Sequence, residues 1–189
     1  MNLRLETVVK EIANALVIVD RSRVPYTKYQ PGVGPYAEPT LIKRISKIMN
    51  SDSSLKGLVK TQRTPDLLIK GQWALEFKLA RPFGDNGKEA ENWSVNLLHP
   101  YEGNTSSIGD CIKLLNSNLT ERKAVIVIGY EHDPPKIPLD VLVKSFEILS
   151  KCVMKINLSQ RIEENRKNLV HPVLQQLTVY AWEVIGRDT

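Results

Sequence analysis

The chain has 189 residues, of which 42% are hydrophobic and 25% charged, which is typical of one folded domain spanning residues 1–189. No apolar run approaches the roughly 18–20 residues that a membrane-spanning helix needs, so we expect no membrane partner. The net charge of +5 favours a polyanionic partner. Cys111 and Cys152 both lie in apolar stretches with helical spacing, and we expect buried free thiols in a cytoplasmic protein.

The first half of the chain is predicted to form two helices followed by a β-hairpin. Apolar residues recur at helical spacing over residues 3–18, which predicts an amphipathic helix. A loop rich in proline, glycine and tyrosine follows at residues 23–37, and Pro39 suits the first turn of a second helix. Two short strands, at residues 66–69 and 73–79, then flank a three-residue connection.

The second half is predicted to alternate helices and strands after a long segment without periodicity, residues 80–103. Segments of that length are usually functional or disordered, and the aromatic side chains within this one argue against disorder. The predicted elements are a helix at 108–115 capped near Asn104 or Ser106, a buried strand at 124–129, a helix from Pro138 to Val153, a weak helix at 161–168 and a final strand at 177–185. This order predicts a mixed α/β sandwich around one central sheet.

A basic stretch precedes the hairpin. Between Leu41 and Arg63 the chain carries six cations and one acid, Asp52. If the cations share one face, they form a positive patch that suits the phosphates of a nucleic acid. The alternative interpretation is that they only solvate an exposed surface. The cations are Lys43, Arg44, Lys47, Lys56, Lys60 and Arg63.

The hairpin carries the residues with the clearest chemistry. Side chains alternate across a strand, so Glu76 and Lys78 point to the same face. If residues 70–72 form the connection, Asp66 lies opposite Glu76, with Cβ atoms about 4.5–5.5 Å apart. Two carboxylates that close repel each other unless a cation lies between them. Because one lysine offsets only one carboxylate, the pattern favours a divalent, oxygen-seeking ion such as Mg²⁺.

This pattern resembles the motif of the PD-(D/E)XK nuclease superfamily, to which restriction endonucleases and many repair nucleases belong. The motif here reads Pro65-Asp66 and, after nine residues, Glu76-Phe77-Lys78. The resemblance covers about residues 38–130, where the order helix, hairpin, helix, strand follows the αβββαβ core of that family. It implies an α/β fold, a three-layer α/β sandwich with a central mixed β-sheet and a restriction-endonuclease-like core.

The resemblance also implies roles for individual residues. Asp66, Glu76 and the backbone carbonyl of Phe77 would ligate Mg²⁺, for which Mn²⁺ is a substitute. Lys78 would orient the attacking water and stabilise charge on the phosphate. The family often adds an acid from an N-terminal helix, and Glu38 is the first choice for it, with Glu11 second. Glu38 also has an alternative role, as a favourable charge at a helix N-terminus.

Other residues near the motif have two interpretations each. The cations Arg81 and Lys88 and the aromatic residues Trp93 and Tyr101 suit phosphate contacts and base stacking. Alternatively, the two aromatic residues anchor a folded loop onto the core. On the helix that follows, Asp110 and Lys113 lie one turn apart, where they either pair with each other or support the site.

Three hypotheses follow. The first is an Mg²⁺-dependent endonuclease that cuts double-stranded DNA in a restriction or defence role, with a homodimer allowing both strands to be cut. The second is a nuclease-like module that binds nucleic acid with little or no turnover on its own. The third is a structural protein in which the acids and the lysine form only a buried ion network.

Overall fold

The computed structural model describes residues 3–101, 103 and 105–187, which form a mixed α/β fold. The helices are α1 (Leu5–Arg21), α2 (Glu38–Asp52), α3 (Val95–Leu98), α4 (Ser107–Leu115) and α5 (Leu139–Ile148), which continues into a π-helical turn, Leu149–Val153. The strands are β1 (Val59–Thr61), β2 (Leu67–Ile69), β3 (Trp73–Ala80), β4 (Arg122–Glu131), β5 (Ile156–Leu158), β6 (Ile162–Arg166) and β7 (Gln176–Arg187). None of the described helices is long and apolar enough to cross a membrane.

The strands form one open, mostly antiparallel sheet of seven strands in the order β1-β2-β3-β4-β7-β5, with β6 also paired to β7. Among the described strand pairs, only β3 and β4 run parallel, and their connection contains α3 and α4. The ladder between β2 and β3 pairs Ile69 with Trp73 and Leu67 with Leu75. This register confirms the three-residue connection predicted for the hairpin.

Helices cover both faces of the sheet. On one face, α1 and α2 pack against alternate residues of the central strands, including Leu75, Phe77 and Leu79. On the other face, α3, α4 and α5 pack against the intervening positions, including Ala74 and Ala80. Burial on both faces explains why the central strands have nearly continuous apolar sequences. Glu76 and Lys78 are the polar exceptions within β3.

Several predicted elements differ from the structure. The weak helix predicted at 161–168 is wrong, because residues 162–166 form β6 and pair with β7. The short strands β1 and β5 were not predicted. Cys111 is a buried free thiol as expected, but Cys152 is exposed, because it lies on the outside of the π-helical turn. Ser106 caps α4 by accepting a hydrogen bond from the Gly109 N–H, and the alternative cap, Asn104, lies outside the described residues.

Candidate active site

The hairpin brings the predicted acids and lysine to the face of the sheet that α4 covers. Glu76 is 1% exposed and its carboxylate contacts Lys113 of α4. Lys78 contacts Asp110 of the same helix. Both side chains point this way because Leu75 and Phe77 take the opposite face of β3.

Asp66 lies just before β2, at the edge of this group. Its Oδ2 accepts a hydrogen bond of 2.9 Å from the backbone N–H of Phe77, the residue after Glu76. The bond crosses the hairpin and holds the Asp66 carboxylate beside β3, at the start of β2. Its negative charge contributes to raising the pKa of both Glu76 and Glu38. The acids predicted to act together are therefore electrostatically coupled.

Lys78 is held by three acceptors. Its ammonium lies 2.8 Å from Asp110 Oδ2 and 3.7 Å from Glu38 Oε1, and it donates a 2.9 Å hydrogen bond to the Phe77 carbonyl. Burial alone would lower the pKa of Lys78, but the carboxylates of Asp110 and Glu38 outweigh burial and raise it. Lys78 is therefore a positively charged group in a defined position.

Lys113 links Glu76 of β3 to Asp110 of its own helix, α4. Its ammonium lies 2.8 Å from Glu76 Oε2 and 3.1 Å from Asp110 Oδ1, one helical turn earlier. Burial would lower the pKa of Lys113, but its bonds to Glu76 and Asp110 raise it. The predicted pairing of Asp110 with Lys113 is confirmed, and each residue also contacts the hairpin.

Glu76 is the most perturbed acid of the group. Burial, followed by the negative charges of Asp66 and Asp110, raises the pKa of Glu76 to about 8, against the lowering effect of Lys113. Glu76 Oε1 is buried and has no hydrogen-bond partner among the described residues. An unpaired buried carboxylate oxygen is costly, and such a group requires an explanation.

We call these six residues the carboxylate–lysine cluster: Glu38, Asp66, Glu76, Lys78, Asp110 and Lys113. With every member ionised, four carboxylates face two ammonium groups, so the cluster has two uncompensated negative charges. One divalent cation would balance that excess. Within the described part of the chain, no group of three or more aspartate, glutamate, histidine or cysteine side chains is positioned to hold a metal ion.

A cavity of about 360 Å³ opens beside the cluster. Its lining includes Glu38, Lys78, Arg81, Trp93 and Asn96. Trp93 also packs against the apolar core between α4 and the sheet, which supports its interpretation as an anchor of the loop. Lys78, whose side chain is 12% exposed, therefore borders a space that opens to solvent.

The other predicted nucleic-acid-binding residues lie on several surfaces. Lys43, Arg44 and Lys47 line an open groove between α1 and α2. Lys60, on edge strand β1, is exposed, as are Arg63 and Lys88 in loops. Arg81 is partly buried, and its guanidinium donates to the Gly34 carbonyl at 3.0 Å. Tyr101 is 74% exposed and touches the ring of His99, so it does not anchor the loop to the core.

No family model, curated protein or solved structure matches this chain. The carboxylate–lysine cluster is therefore the feature of this chain from which its function is inferred. The sequence motif located Asp66, Glu76 and Lys78. The contributions of Asp110 and Lys113 were signalled only by their spacing of one helical turn.

Proposed function

We propose that this protein is a metal-dependent nuclease that hydrolyses phosphodiester bonds in DNA, with Asp66, Glu76 and Lys78 as its reactive centre. The observation that carries the proposal is the unpartnered Glu76 Oε1, buried in a cluster that has two excess negative charges when all its members are ionised. A purely structural ion network would be expected to satisfy each buried oxygen. An excess of buried carboxylate instead suits a site that binds a cation.

The donor set fits Mg²⁺, or Mn²⁺ in its place. Asp66, Glu76 and the Phe77 carbonyl would hold the ion, with Glu38 as a further carboxylate, and all four offer the hard oxygen ligands that these ions prefer. When bound, such an ion lowers the pKa of a coordinated water and neutralises charge on a phosphate. The unpaired oxygen of Glu76 is the structural feature that supports this fit.

Lys78 supplies chemistry of its own. Asp110 fixes its ammonium at 2.8 Å, so the charge is oriented without rearrangement during the reaction. From the wall of the adjoining cavity, the ammonium can orient an attacking water and stabilise negative charge that develops on a phosphate oxygen. Asp110 is a positioning residue in this scheme, because it acts through Lys78.

The arrangement of the elements supports the same proposal. The chain order is α2, β1, β2, β3, α3, α4, β4, which matches the order αβββαβ implied by the resemblance to PD-(D/E)XK nucleases if the four-residue helix α3 is set aside. Glu76 lies on β3, and Asp66 directly precedes β2, the antiparallel neighbour of β3, which is close to the placement that the motif implies. A restriction or defence role and a cytoplasmic location are parts of the proposal that follow from the resemblance and from the cysteines.

The proposed DNA contacts begin with the exposed cations of α2. Lys43, Arg44 and Lys47 lie on the helix whose first residue, Glu38, reaches Lys78. A DNA strand whose phosphates bind along this helix would therefore extend toward the reactive centre. We propose double-stranded DNA as the partner, with a homodimer placing a second reactive centre on the opposite strand.

The direct test is incubation of the purified protein with plasmid, linear duplex and single-stranded DNA in Mg²⁺, Mn²⁺ or EDTA. We expect cleavage with either metal ion and none in EDTA. A preparation of Glu76→Ala, purified identically, is the control for contaminating nuclease. Equal cleavage by both proteins would refute the proposal.

A salt titration tests the proposed DNA-binding face separately. The affinity for duplex DNA should fall steeply between low and physiological salt, because bound phosphates release counterions. Replacing Lys43, Arg44 and Lys47 together by alanine should reduce the salt slope by about three. A flat salt dependence would mean that these cations only solvate the helix.

The second candidate is a nuclease-like module that binds nucleic acid without turnover. Lys113 favours it, because its ammonium already neutralises Glu76 at 2.8 Å and so competes with a metal ion. Salt-sensitive DNA binding without cleavage in Mg²⁺ or Mn²⁺ would support this candidate over the first.

A further inference from the structure

A second cavity adjoins the one beside the reactive centre. It has a volume of about 400 Å³ and shares Arg81 and Ala90 as lining residues with the first cavity. The two cavities are therefore neighbours, and the Arg81 side chain lies at their common boundary. A ligand with one group beside Lys78 can extend past Arg81 into the second cavity. Its volume lies within the range of about 300–1,000 Å³ that is usual for small-ligand sites.

Aromatic rings form two parts of the wall of the second cavity. Tyr29 is 40% exposed, and its ring stacks on Tyr26 with an interplanar angle of 10°. Phe83 packs edge-on against the ring of His132 at 4.6 Å. The contacts with Tyr26 and His132 restrict the rings of Tyr29 and Phe83. Both rings are therefore positioned before a flat ligand binds. Polar groups of Asp85 and Asn86 also line the cavity.

Hydrogen bonds hold the loops around this cavity. Asp85 accepts from the Gln30 N–H and contacts His171, which joins the loop of Tyr29 to the loops of Phe83 and Leu174. The turn after Phe83 is closed by a bond from the Gly84 N–H to the Lys88 carbonyl. A site that is ordered before binding loses less conformational entropy when the ligand enters.

Arg81 provides the charge between the cavities. One of its guanidinium nitrogens donates to the Gly34 carbonyl, which fixes the group. Among the described residues no other hydrogen bond to its guanidinium is observed, so further N–H donors remain for a ligand. A guanidinium in this place suits the phosphate or sugar that joins two nucleotides.

We propose that the second cavity is a subsite for one unpaired nucleobase, next to the phosphate that the reactive centre cleaves. The inference rests on the proposed nuclease function and specifies its substrate as DNA with an unpaired nucleotide. A base that is paired and stacked inside a duplex cannot enter such a cavity, whereas an unpaired base is free to turn out of the helix. Tyr29 and Phe83 provide the stacking surfaces, which accept any base.

The test compares two duplexes that differ only in the base. One carries a single unpaired nucleotide, and the other carries an abasic residue at the same position, so both have the same flexible backbone. Binding is measured by fluorescence anisotropy in EDTA, where no turnover is required. We expect the duplex with the base to bind about ten-fold more tightly, because stacking on an aromatic side chain contributes that much or more.

Tyr29 variants identify the source of this preference. Tyr29→Ala should reduce the preference for the duplex with the base, because it removes one of the two rings, whereas Tyr29→Phe should keep the preference because it keeps the ring. Phe83→Ala, checked for an unchanged melting temperature, is the second variant and should also reduce the preference. Equal binding of the two duplexes by the natural protein, or an unchanged preference in Tyr29→Ala, would overturn the subsite.

Cleavage assays separate the subsite from the nuclease proposal. If the natural protein prefers the unpaired base but cleaves no DNA with Mg²⁺ or Mn²⁺, the subsite stands and the nuclease proposal fails. If it cleaves DNA and shows no preference for the base, the nuclease proposal stands and the subsite fails. With both correct, cleavage should concentrate within about one nucleotide of the unpaired base.

Discussion

Two buried polar groups of this protein differ in how their charges are satisfied. One is the carboxylate–lysine cluster. The other, which we call the loop clamp, consists of Asp20, Asp85 and His171. Asp20 is 2% exposed, and its two oxygens accept hydrogen bonds from the backbone N–H groups of Val33 and Val170 at 3.0 and 2.9 Å.

His171 completes the loop clamp. Its Nδ1 accepts from the backbone N–H groups of Val173 and Leu174, so the neutral ring carries its proton on Nε2, which lies 2.9 Å from Asp85 Oδ1. Asp85 also accepts from the Gln30 N–H. The partners of the loop clamp are thus mainly backbone amides of loops that it ties together.

The carboxylate–lysine cluster has the opposite character. Its contacts join ionisable side chains to one another, its negative charges exceed its positive charges, and one buried oxygen has no partner among the described residues. Burial raises the pKa of Glu76 to about 8, whereas hydrogen bonds lower the pKa of Asp85 despite partial burial. The difference indicates that the loop clamp stabilises the fold, and it supports the proposal that the cluster binds a cation.

The largest expected effect is on catalysis, from Lys78→Ala. We expect cleavage to fall by about 10²- to 10⁴-fold, because the reaction loses a fixed charge beside the phosphate. Mg²⁺ binding should persist or tighten, since a competing cation is removed. Single-turnover plasmid cleavage and Mg²⁺ titration measure the two effects.

Lys70→Ala is the matched control for this variant. Lys70 is an exposed lysine in the connection of the same hairpin, away from the cluster. Its replacement should leave cleavage unchanged. Cleavage by Lys78→Ala at the rate of the natural protein would remove the catalytic interpretation and leave the cluster as an ion network.

The second prediction concerns the loop clamp. Asp20→Ala should lower the free energy of unfolding by about 3 kcal/mol, because two buried backbone N–H groups lose a charged acceptor. Asp20→Asn, which retains one acceptor oxygen, should lose about half as much. Urea unfolding provides the measurement. Weaker Mg²⁺ binding without a loss of stability would contradict the structural role of the clamp.

The third prediction is that a rise in pH has opposite effects on the stability contributed by the cluster and by the loop clamp. The raised pKa of Glu76 means that the folded protein retains a proton that the unfolded chain releases near pH 4.5. In EDTA, stability should therefore fall as pH rises from about 4.5 to 8, by roughly 2 kcal/mol or more. Glu76→Gln removes this titration and should flatten the curve over that range.

Asp85 provides the contrast in the same experiment. Its lowered pKa contributes stability above its ordinary value of 3.8, which is lost as pH falls below it. Asp85→Asn should thus reduce the pH dependence of stability at acid pH and leave the pH dependence near neutrality unchanged. Melting temperatures between pH 3 and 9 test both variants. A parallel pH response of the two variants would contradict the comparison.

Local sequence predicted the hairpin well because its geometry is set by near neighbours. The three-residue connection fixes the register, and strand alternation then places Glu76 and Lys78 on one face. Ser106, the cap of α4, was one of the two caps that the sequence offered, since capping depends on a few adjacent residues. These parts of the site required no knowledge of distant contacts.

Other features depend on residues far apart in the chain. Residues 162–166 have a helix-favouring composition but form a strand, because β7 offers an edge with which they pair. The second cavity combines loops near Tyr29, Phe83 and Leu174, and no local pattern brings them together. Arg81 was predicted to face DNA, but its bond to the Gly34 carbonyl holds part of its guanidinium inward.

The smallest expected effect is that of Lys113, which occupies a cation position within the cluster. Its ammonium lies between Glu76 and Asp110, and its side chain is 40% exposed. Partly exposed ion pairs stabilise by only about 0.2–1 kcal/mol. Lys113→Ala should therefore lower stability slightly in EDTA and tighten Mg²⁺ binding by about two- to five-fold, because the ion no longer competes with this ammonium.

Lys113→Arg is the control, since it retains the charge and should retain the weaker Mg²⁺ affinity. Isothermal titration with Mg²⁺ at neutral pH and low salt measures both variants. If the cluster is a closed ion network like the loop clamp, Lys113→Ala instead creates an unpaired buried Glu76, lowers stability and gains no affinity for Mg²⁺. A higher affinity for Mg²⁺ in Lys113→Ala, but not in Lys113→Arg, would therefore distinguish a ligand-binding cluster from a structural one.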